Sequence, residues 1–202
     1  DRVVAVDSRF IISKESSDST ILTKAEPNHS ILSQFQPLFE PKTVAVLGAS
    51  SKSKTIANTF IRRLKDFGYP GNIYPIHPTV HEIEGLSTFP DLRSVPEVID
   101  YAYIAIRADL IPDILAKSKR NVRFAQVISA GFAETTQGVD SQLDLVNKAR
   151  QNKTRILGPN CLGTYSPRGG LTFPANAPKE LGSIGVVSQS GGLSTDIIKR
   201  GE

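Results

Sequence analysis

The stretch Val44-Ala-Val-Leu-Gly-Ala-Ser-Ser-Lys-Ser-Lys-Thr55 joins a short apolar run to a turn of small and basic residues. The four consecutive apolar residues 44–47 are typical of a strand that is buried on both faces. After the turn, apolar side chains recur at helical spacing from Ile56 and stop at Gly68, which predicts a helix with a glycine C-cap. The stretch therefore predicts one strand–loop–helix unit of a parallel sheet.

The same alternation continues along the chain. Strands that read as unbroken apolar runs, separated by helical patterns, predict an α/β fold with a doubly wound parallel sheet, covered by helices on both faces. We assign this Rossmann-like domain to residues 38–172. The further predicted strands are 72–76, 101–106, 125–129 and 154–157, and the predicted helices between the later strands are 110–119 and 140–152.

The residues outside this domain read as parts of other units. Residues 1–12 resemble one β-branched strand, and the mostly polar residues 13–37 predict a linker. Residues 173–181 contain two prolines and predict a connector to a further unit at 182–202. In that unit the apolar residues 184–187 predict a buried strand that runs into a helix. A strand and one helix cannot form a core, so we expect the chain to be a piece of a longer protein.

The composition of the chain indicates which kinds of partner and which cellular location to expect. The 202 residues carry a formal net charge of +4, without the interleaved aromatic residues of a nucleic-acid platform, so we expect no nucleic-acid partner. No apolar run approaches the ~18 residues of a membrane helix, so we expect no membrane partner. The single cysteine excludes an intrachain disulfide and fits a cytoplasmic location.

Two loops are candidates for a nucleotide-like ligand. In a doubly wound sheet, ligands bind beyond the carboxyl ends of the strands, which here means residues 48–55 and 129–132. Only Gly48 of the dinucleotide fingerprint is present, and the second strand ends in Tyr74-Pro-Ile-His-Pro78 without a carboxylate, which disfavours a nicotinamide cofactor. The serines and lysines of the first loop can hold phosphate. The alternative is a small-residue turn that serves only strand–helix packing.

Three further features of the sequence contain residue types that can carry chemistry. Gly158-Pro-Asn-Cys-Leu-Gly163 contains no histidine that could activate Cys161, so we expect this cysteine to pack beside a ligand loop rather than to act as a nucleophile. His77 and His81 are spaced four apart, but a proline between them argues against a helix, and we expect no metal site. Residues 188–192 precede a helix, where free N–H groups and the helix dipole favour an anion.

Five segments, taken in chain order, resemble one known family. They are Val44-Ala-Val-Leu-Gly-Ala-Ser50, Tyr74-Pro-Ile-His-Pro78, Val127-Ile-Ser-Ala-Gly-Phe132, Arg155-Ile-Leu-Gly-Pro-Asn-Cys-Leu-Gly163 and Ser183-Ile-Gly-Val-Val-Ser-Gln-Ser-Gly-Gly-Leu193. The resemblance is to the CoA-binding part of the NDP-forming acyl-CoA synthetases, the superfamily of succinyl-CoA synthetase and ADP-forming acetate–CoA ligase. Residues 3–9 are also similar to the closing strand of that family's ATP-grasp module.

The resemblance implies a CoA-binding Rossmann-like domain followed by the first strand–helix unit of a flavodoxin-like domain. It implies that the parent enzyme converts an acid, CoA and ATP to acyl-CoA, ADP and phosphate, through an acyl phosphate and a phosphohistidine, with Mg²⁺. The implied partners are CoA, a small carboxylic acid and an ATP-grasp module or subunit, in an oligomeric parent. The implied CoA contacts are Gly48, Ser50, Ser51, Lys52, Ile128, Ser129 and Ala130, and the implied phosphate contacts are Ser190, Gly191 and Gly192.

Two features depart from the family's pattern. Thr79 stands after Pro78, where the family often has a lysine that meets a CoA phosphate. None of the three histidines matches the family's phosphorylated histidine. We therefore expect this chain to bind CoA without catalysing the ligase reaction, and to contain no catalytic residue. Two alternatives stay open: a stand-alone CoA- or nucleotide-binding regulatory module, and an NAD(P)-dependent oxidoreductase, which the missing glycines and acidic residue weaken.

Overall fold

A computed structural model of the chain describes residues 29–201. Within these residues the chain forms seven strands and five α-helices, with short 3-10 turns at 108–110 and 136–138. The strands are β1 (Thr43–Leu47), β2 (Asn72–Ile76), β3 (Glu82–Ile83), β4 (Leu86–Ser87), β5 (Ile99–Ile104), β6 (Val122–Val127) and β7 (Arg155–Leu157). The helices are α1 (His29–Phe39), α2 (Ile56–Phe67), α3 (Ile111–Ala116), α4 (Val139–Gln151) and α5 (Gly191–Arg200).

Five of the strands form one parallel sheet in the order β2-β1-β5-β6-β7. β1 pairs with β2 on one side and with β5 on the other, so the strand order reverses at β1. The short strands β3 and β4 form a separate antiparallel hairpin. The predicted doubly wound parallel sheet is thereby confirmed, and its switch point lies between β1 and β5.

The two faces of β1 explain why the sheet is covered on both sides. All five of its residues are buried, and successive side chains point to opposite faces. Val44 and Val46 pack in the cluster that includes Phe60 of α2, whose ring stacks on Tyr103 at a centroid distance of 4.0 Å. Leu47 packs on the other face, in the cluster that α3 and α4 contribute to.

The helix after β1 has the predicted ends. α2 begins after Thr55, whose side chain caps it, and ends before Gly68. Gly68 adopts a φ of 87° and donates its N–H to the carbonyls of Leu64 and Lys65. A left-handed residue at this position is most easily a glycine, because it lacks a Cβ.

The segment before the sheet differs from the prediction. Residues 29–37 were expected in a linker, but they belong to α1. Phe35 of this helix lies 6.0 Å from the Phe124 ring, and the Arg155 guanidinium lies 4.5 Å over the Phe35 ring. The apolar side chains of α1 fall on one helical stripe, a periodicity that its polar neighbours obscured. The predicted strand at 1–12, the linker residues 13–28 and Glu202 lie outside the described residues.

The segment after the sheet also differs. Residues 184–187 do not form a strand, and Ile184 and Val187 are 84% and 103% exposed. No strand in the part of the chain that the structure describes lies beside them to pair with their backbone groups, and a strand needs such a neighbour. The helix that was predicted to follow is present as α5.

The predicted strand ends shift by two or three residues in the middle of the sheet. β5 covers Ile99–Ile104 and β6 covers Val122–Val127, so both begin and end earlier than the apolar runs suggested. Ile128 and Ser129 therefore lie in a loop. None of the helices between residues 29 and 201 has the length and apolar character that crossing a membrane requires.

Candidate functional site

The predicted ligand loops leave the sheet side by side at its carboxyl edge. Backbone pairing continues past the strand ends, because Ala105 N–H donates to the Leu47 carbonyl and Ile128 N–H donates to the Ile104 carbonyl, each at 3.1 Å. The loops after β1, β5 and β6 are therefore tied together at the point where the strand order reverses. This is the usual ligand position in a doubly wound sheet.

Gly48 brings the loop after β1 into close contact with the segment that follows β5. Its φ is 97°, and a Cβ at this residue would lie 2.8 Å from the Ala105 carbonyl carbon and closer still to the carbonyl oxygen. Any other residue would clash with backbone and would also be strained. The absence of a side chain at Gly48 thus lets the loop after β1 pack directly against the backbone that follows β5.

The side chain of Asn58 holds the next part of the loop. Its Oδ1 accepts hydrogen bonds from Ser50 N–H at 2.9 Å, Thr55 N–H at 3.3 Å and the Thr55 hydroxyl at 2.7 Å. Its Nδ2 donates to the Ser50 carbonyl at 2.9 Å. Thr55 Oγ1 in turn accepts from Asn58 N–H at 3.2 Å, which completes a capping box at the start of α2.

The remaining polar groups of this loop divide into inward and outward ones. Ser50 Oγ accepts bonds from the N–H groups of Lys52 and Ser53, at 3.1 and 3.3 Å, so these two donors serve the loop itself. The Ser51, Lys52 and Lys54 side chains are exposed. Neither lysine forms an ion pair within residues 29–201. Their ammonium groups, with the Ser51 hydroxyl, are the part of the loop that can meet an anion.

The loop after β6 is ordered by its own side chains. Ser129 donates its hydroxyl to the Ile106 carbonyl, while Ala130 is exposed. The Glu134 carboxylate accepts from the N–H groups of Gly131 and Phe132, at 2.5 and 3.1 Å. The bond from Gly131 is the main cause of a lowered pKa at the Glu134 carboxyl. These two N–H groups are therefore already satisfied within the chain.

The loop after β2 is held by the side chain of a histidine, which bonds to the backbone of the following residues. His77 Nδ1 accepts from Thr79 N–H at 3.3 Å and from Val80 N–H at 3.1 Å. An imidazole that accepts on Nδ1 must carry its proton on Nε2.

Within residues 29–201 no three His, Cys, Asp or Glu side chains are grouped so as to hold a metal ion.

The three predicted phosphate contacts lie at the start of α5, next to a different loop. Ser190 Oγ accepts from Leu193 N–H at 3.3 Å and caps the helix. A Cβ on Gly191 would lie 2.6 Å from Leu162 Cδ1, so this glycine lets the helix start rest against the 158–163 loop, while Gly192 faces open space. The structure thus groups Gly48 with the loops after β5 and β6, and places the start of α5 beside Leu162 through Gly191.

The loop that carries Leu162 is tied to the sheet by its backbone. Cys161 N–H donates to the Val127 carbonyl at 3.2 Å, and the Gln126 amide donates to the Cys161 carbonyl at 2.5 Å. The Cys161 side chain is half-buried. The expected packing role of this cysteine stays a prediction.

Two residues of the site were not predicted. The spacing of Thr55 and Asn58 is a variant of the capping box and could have indicated the role of Asn58 in starting α2. Glu84, which bonds to Asn58 across 26 positions of sequence, left no local signal.

Comparisons with known proteins point to the same region. The family model described as the CoA binding domain matches residues 42–167. The chain is 36% identical over 166 residues to acetate–CoA ligase (ADP-forming) I of Archaeoglobus fulgidus, covering 80% of this chain and 24% of that protein. It is 34% identical over 168 residues to the alpha subunit of acetate–CoA ligase (ADP-forming) I of Pyrococcus furiosus, covering 78% of this chain and 36% of that subunit.

A solved structure agrees with these relatives. It is dinucleotide forming acetyl-coenzyme A synthetase 1 of Ca. Korarchaeum cryptofilum, in complex with phosphate and ADP, with a TM-score of 0.69 and 35% identity. The similarity covers 82% of this chain and 36% of that chain. This chain spans well under half the length of each of the three proteins. The matched residues 42–167 include all seven strands and the loops at the carboxyl edge. The chain therefore belongs to the CoA binding domain family.

Proposed function

We propose that this chain binds coenzyme A at the carboxyl edge of its sheet and forms the CoA-binding part of an ADP-forming acyl-CoA synthetase. The observation that carries the proposal is the family match, which spans β1 to β7 and so includes every loop that meets at the switch point. The relatives at 34–36% identity are named as ADP-forming acetate–CoA ligases or as a subunit of one. We extend that activity to the parent protein as a proposal.

The two sides of the proposed CoA site have different roles. On the β1 side, Gly48 holds the loop against the backbone that follows β5, and the exposed Ser51 and Lys52 supply a hydroxyl and an ammonium group for the phosphates of the ligand. Ser50 Oγ accepts bonds from within the loop, so its proposed contact with the ligand is the donation of its hydroxyl hydrogen. On the β6 side, residues 128–130 carry no charge, and we expect their backbone groups and uncharged side chains to meet the uncharged portions of the ligand. Among the loops described above, only the loop after β1 carries cations without an ion-pair partner. This charge distribution suits CoA, because its phosphates can lie on the β1 side.

The start of α5 has a separate proposed role. Ser190, Gly191 and Gly192 lie at the N-terminus of a ten-residue helix, where unpaired N–H groups and the helix dipole favour a phosphoryl group. In the parent enzyme this group would be the phosphohistidine. ATP, Mg²⁺, the carboxylic acid and an ATP-grasp module or subunit belong to the same proposal. Bound CoA would supply the thiol that accepts the acyl group, and this chain would orient it.

Isothermal titration calorimetry of the purified 202-residue chain tests the proposal. CoA, ADP and NADH are titrated separately at low ionic strength, and we expect saturable binding of CoA alone. Binding of NADH without CoA would favour the oxidoreductase alternative and contradict the proposal. A parallel assay with acetate, CoA and ATP is expected to show no ADP release, since the chain carries no residue that we assign to catalysis.

A further inference from the structure

Asn58 connects two separate parts of the chain through one amide nitrogen. Besides the Ser50 carbonyl, its Nδ2 donates to Glu84 Oε1 at 2.8 Å. Glu84 lies in the two-residue turn of the β3–β4 hairpin, and Arg62 Nη1 lies 2.6 Å from the same oxygen. The hairpin is therefore attached to the loop after β1 through a buried side chain of α2.

The conformation of Glu84 is unusual for its residue type. Glu84 and Gly85 have φ values of 52° and 72°, so both central residues of the turn are left-handed. Turns of this kind favour Asn, Asp or Gly, which tolerate that region. A glutamate here has the reach to place its carboxylate on Asn58 and Arg62, which accounts for its presence at a position where a shorter residue would be less strained.

The bonding pattern requires an amide at position 58. Asn58 is 3% exposed, its Oδ1 accepts three hydrogen bonds, and its Nδ2 donates two. An aspartate would keep the three accepted bonds. It would also turn an oxygen toward the Ser50 carbonyl and the Glu84 carboxylate, which are both acceptors. A carboxylate at this position is thus repelled from both parts that the amide joins.

We propose that Asn58 is a positioning residue for coenzyme A binding, and that Glu84 makes the β3–β4 hairpin a support of the same loop. The inference rests on the proposed function. Asn58 is too buried to touch the ligand; it fixes Ser50 through both backbone groups, and so sets the direction in which Ser51 and Lys52 leave the loop.

The decisive variant is Asn58→Asp, measured for CoA affinity by calorimetry and for melting temperature. We expect affinity to fall about tenfold or more, since two hydrogen bonds become repulsive contacts. The matched control is Asn121→Ala. It removes another side-chain bond to backbone, from Asn121 to the Leu92 carbonyl at 2.9 Å, at the opposite edge of the sheet. This control should lower the melting temperature but change CoA affinity less than about twofold.

A compensating variant separates positioning from general loss of stability. In the double variant Asn58→Asp with Glu84→Gln, the net charge of the pair returns to that of the native chain. The new glutamine amide can donate to the new aspartate, which removes the repulsion between positions 58 and 84. We expect this variant to recover the part of the affinity that depends on the contact between positions 58 and 84, while the repulsion between the aspartate and the Ser50 carbonyl remains. A role limited to stability would predict no such recovery in affinity at a temperature where all variants are folded.

Each outcome decides one question. If native chain binds CoA and Asn58→Asp binds it equally well, the inference is wrong and the proposed function stands. If the native chain does not bind CoA, the proposed function is wrong and the inference falls with it. If Asn58→Asp does not fold, Glu84→Ala replaces it, because this change removes the carboxylate bonds of the hairpin to Asn58 and Arg62 and leaves the bonds between Asn58 and Ser50 in place. An unchanged CoA affinity in Glu84→Ala would then contradict the inference.

Discussion

Two segments of this protein carry a Ser/Gly turn into a helix, and they are held in different ways. In the first, residues 43–67, the turn follows β1, which pairs with β2 and β5 and is buried throughout. In the second, residues 184–200, the turn follows exposed, unpaired backbone, and α5 has no buried residue. Both helices nevertheless have a hydroxyl cap, at Thr55 and Ser190. A capped helix start can therefore form locally, whereas a strand requires neighbours.

The energies of the two segments differ accordingly. Each fully buried valine or leucine side chain of β1 contributes about 1.5–3 kcal/mol, whereas a single hydroxyl cap contributes about 1 kcal/mol. In α5 the large apolar side chains Leu193 and Ile197 are 53% and 37% exposed, so burial adds little there. We expect changes in the first segment to affect the whole domain, and changes in the second to affect α5 alone.

The largest difference should appear when each turn loses a glycine. Gly48→Ala places a Cβ against the Ala105 carbonyl at a φ of 97°, and backbone cannot move aside as a side chain could. We expect it to lower the free energy of unfolding by about 3–4 kcal/mol. Gly192→Ala meets no atom within 4 Å and removes a glycine from a helix, so it should be neutral or stabilise α5 by up to about 1 kcal/mol.

Urea unfolding of both variants, followed by circular dichroism, measures this comparison. Equal destabilisation by the two substitutions would mean that the two turns are packed alike. A tolerated Gly48→Ala would show that the loop after β1 can withdraw from Ala105, and it would contradict rigid packing between these two segments.

Most of the fold could be predicted from the sequence, because strands and helices leave local patterns of apolar residues. The unbroken apolar run at residues 44–47 and the helical spacing that ends at Gly68 gave β1 and α2 nearly to the residue. The same rule failed at residues 184–187, which have an equally apolar run, because pairing partners cannot be seen in the run itself. It also missed α1, whose one apolar stripe lies among polar residues.

The candidate site could be predicted from the sequence only in part. Loop positions follow from the strand ends, so Gly48 and the loop after β6 could be placed at one edge. The contact between Asn58 and Glu84 could not be predicted, since it joins residues far apart in sequence. The predicted CoA and phosphate contacts themselves stay predictions.

The second prediction compares the two caps. Thr55→Ala removes the hydroxyl that accepts from Asn58 N–H and donates to Asn58 Oδ1, so it should cost about 1–2 kcal/mol of global stability. Ser190→Ala removes one bond to Leu193 N–H and should increase hydrogen exchange in the first turn of α5 while the urea midpoint stays unchanged. Thr55→Ser is the control, because it keeps the hydroxyl. A large shift in the urea midpoint of Ser190→Ala would mean that α5 unfolds together with the sheet.

The smallest expected effect concerns charge rather than packing. Lys52 is exposed and forms no ion pair within the described residues, so Lys52→Gln should leave stability unchanged. If its ammonium group meets a CoA phosphate, the substitution should weaken CoA binding by about three- to tenfold at low ionic strength. The loss should shrink as salt is added, because exposed charges are screened beyond about 10 Å at 0.1 M salt.

Lys117→Gln, on an exposed lysine at the C-terminal end of α3, controls for net charge and should have less effect. Equal losses in both variants would show that only the overall charge attracts CoA, whereas a loss confined to Lys52 would place the phosphates at the loop after β1.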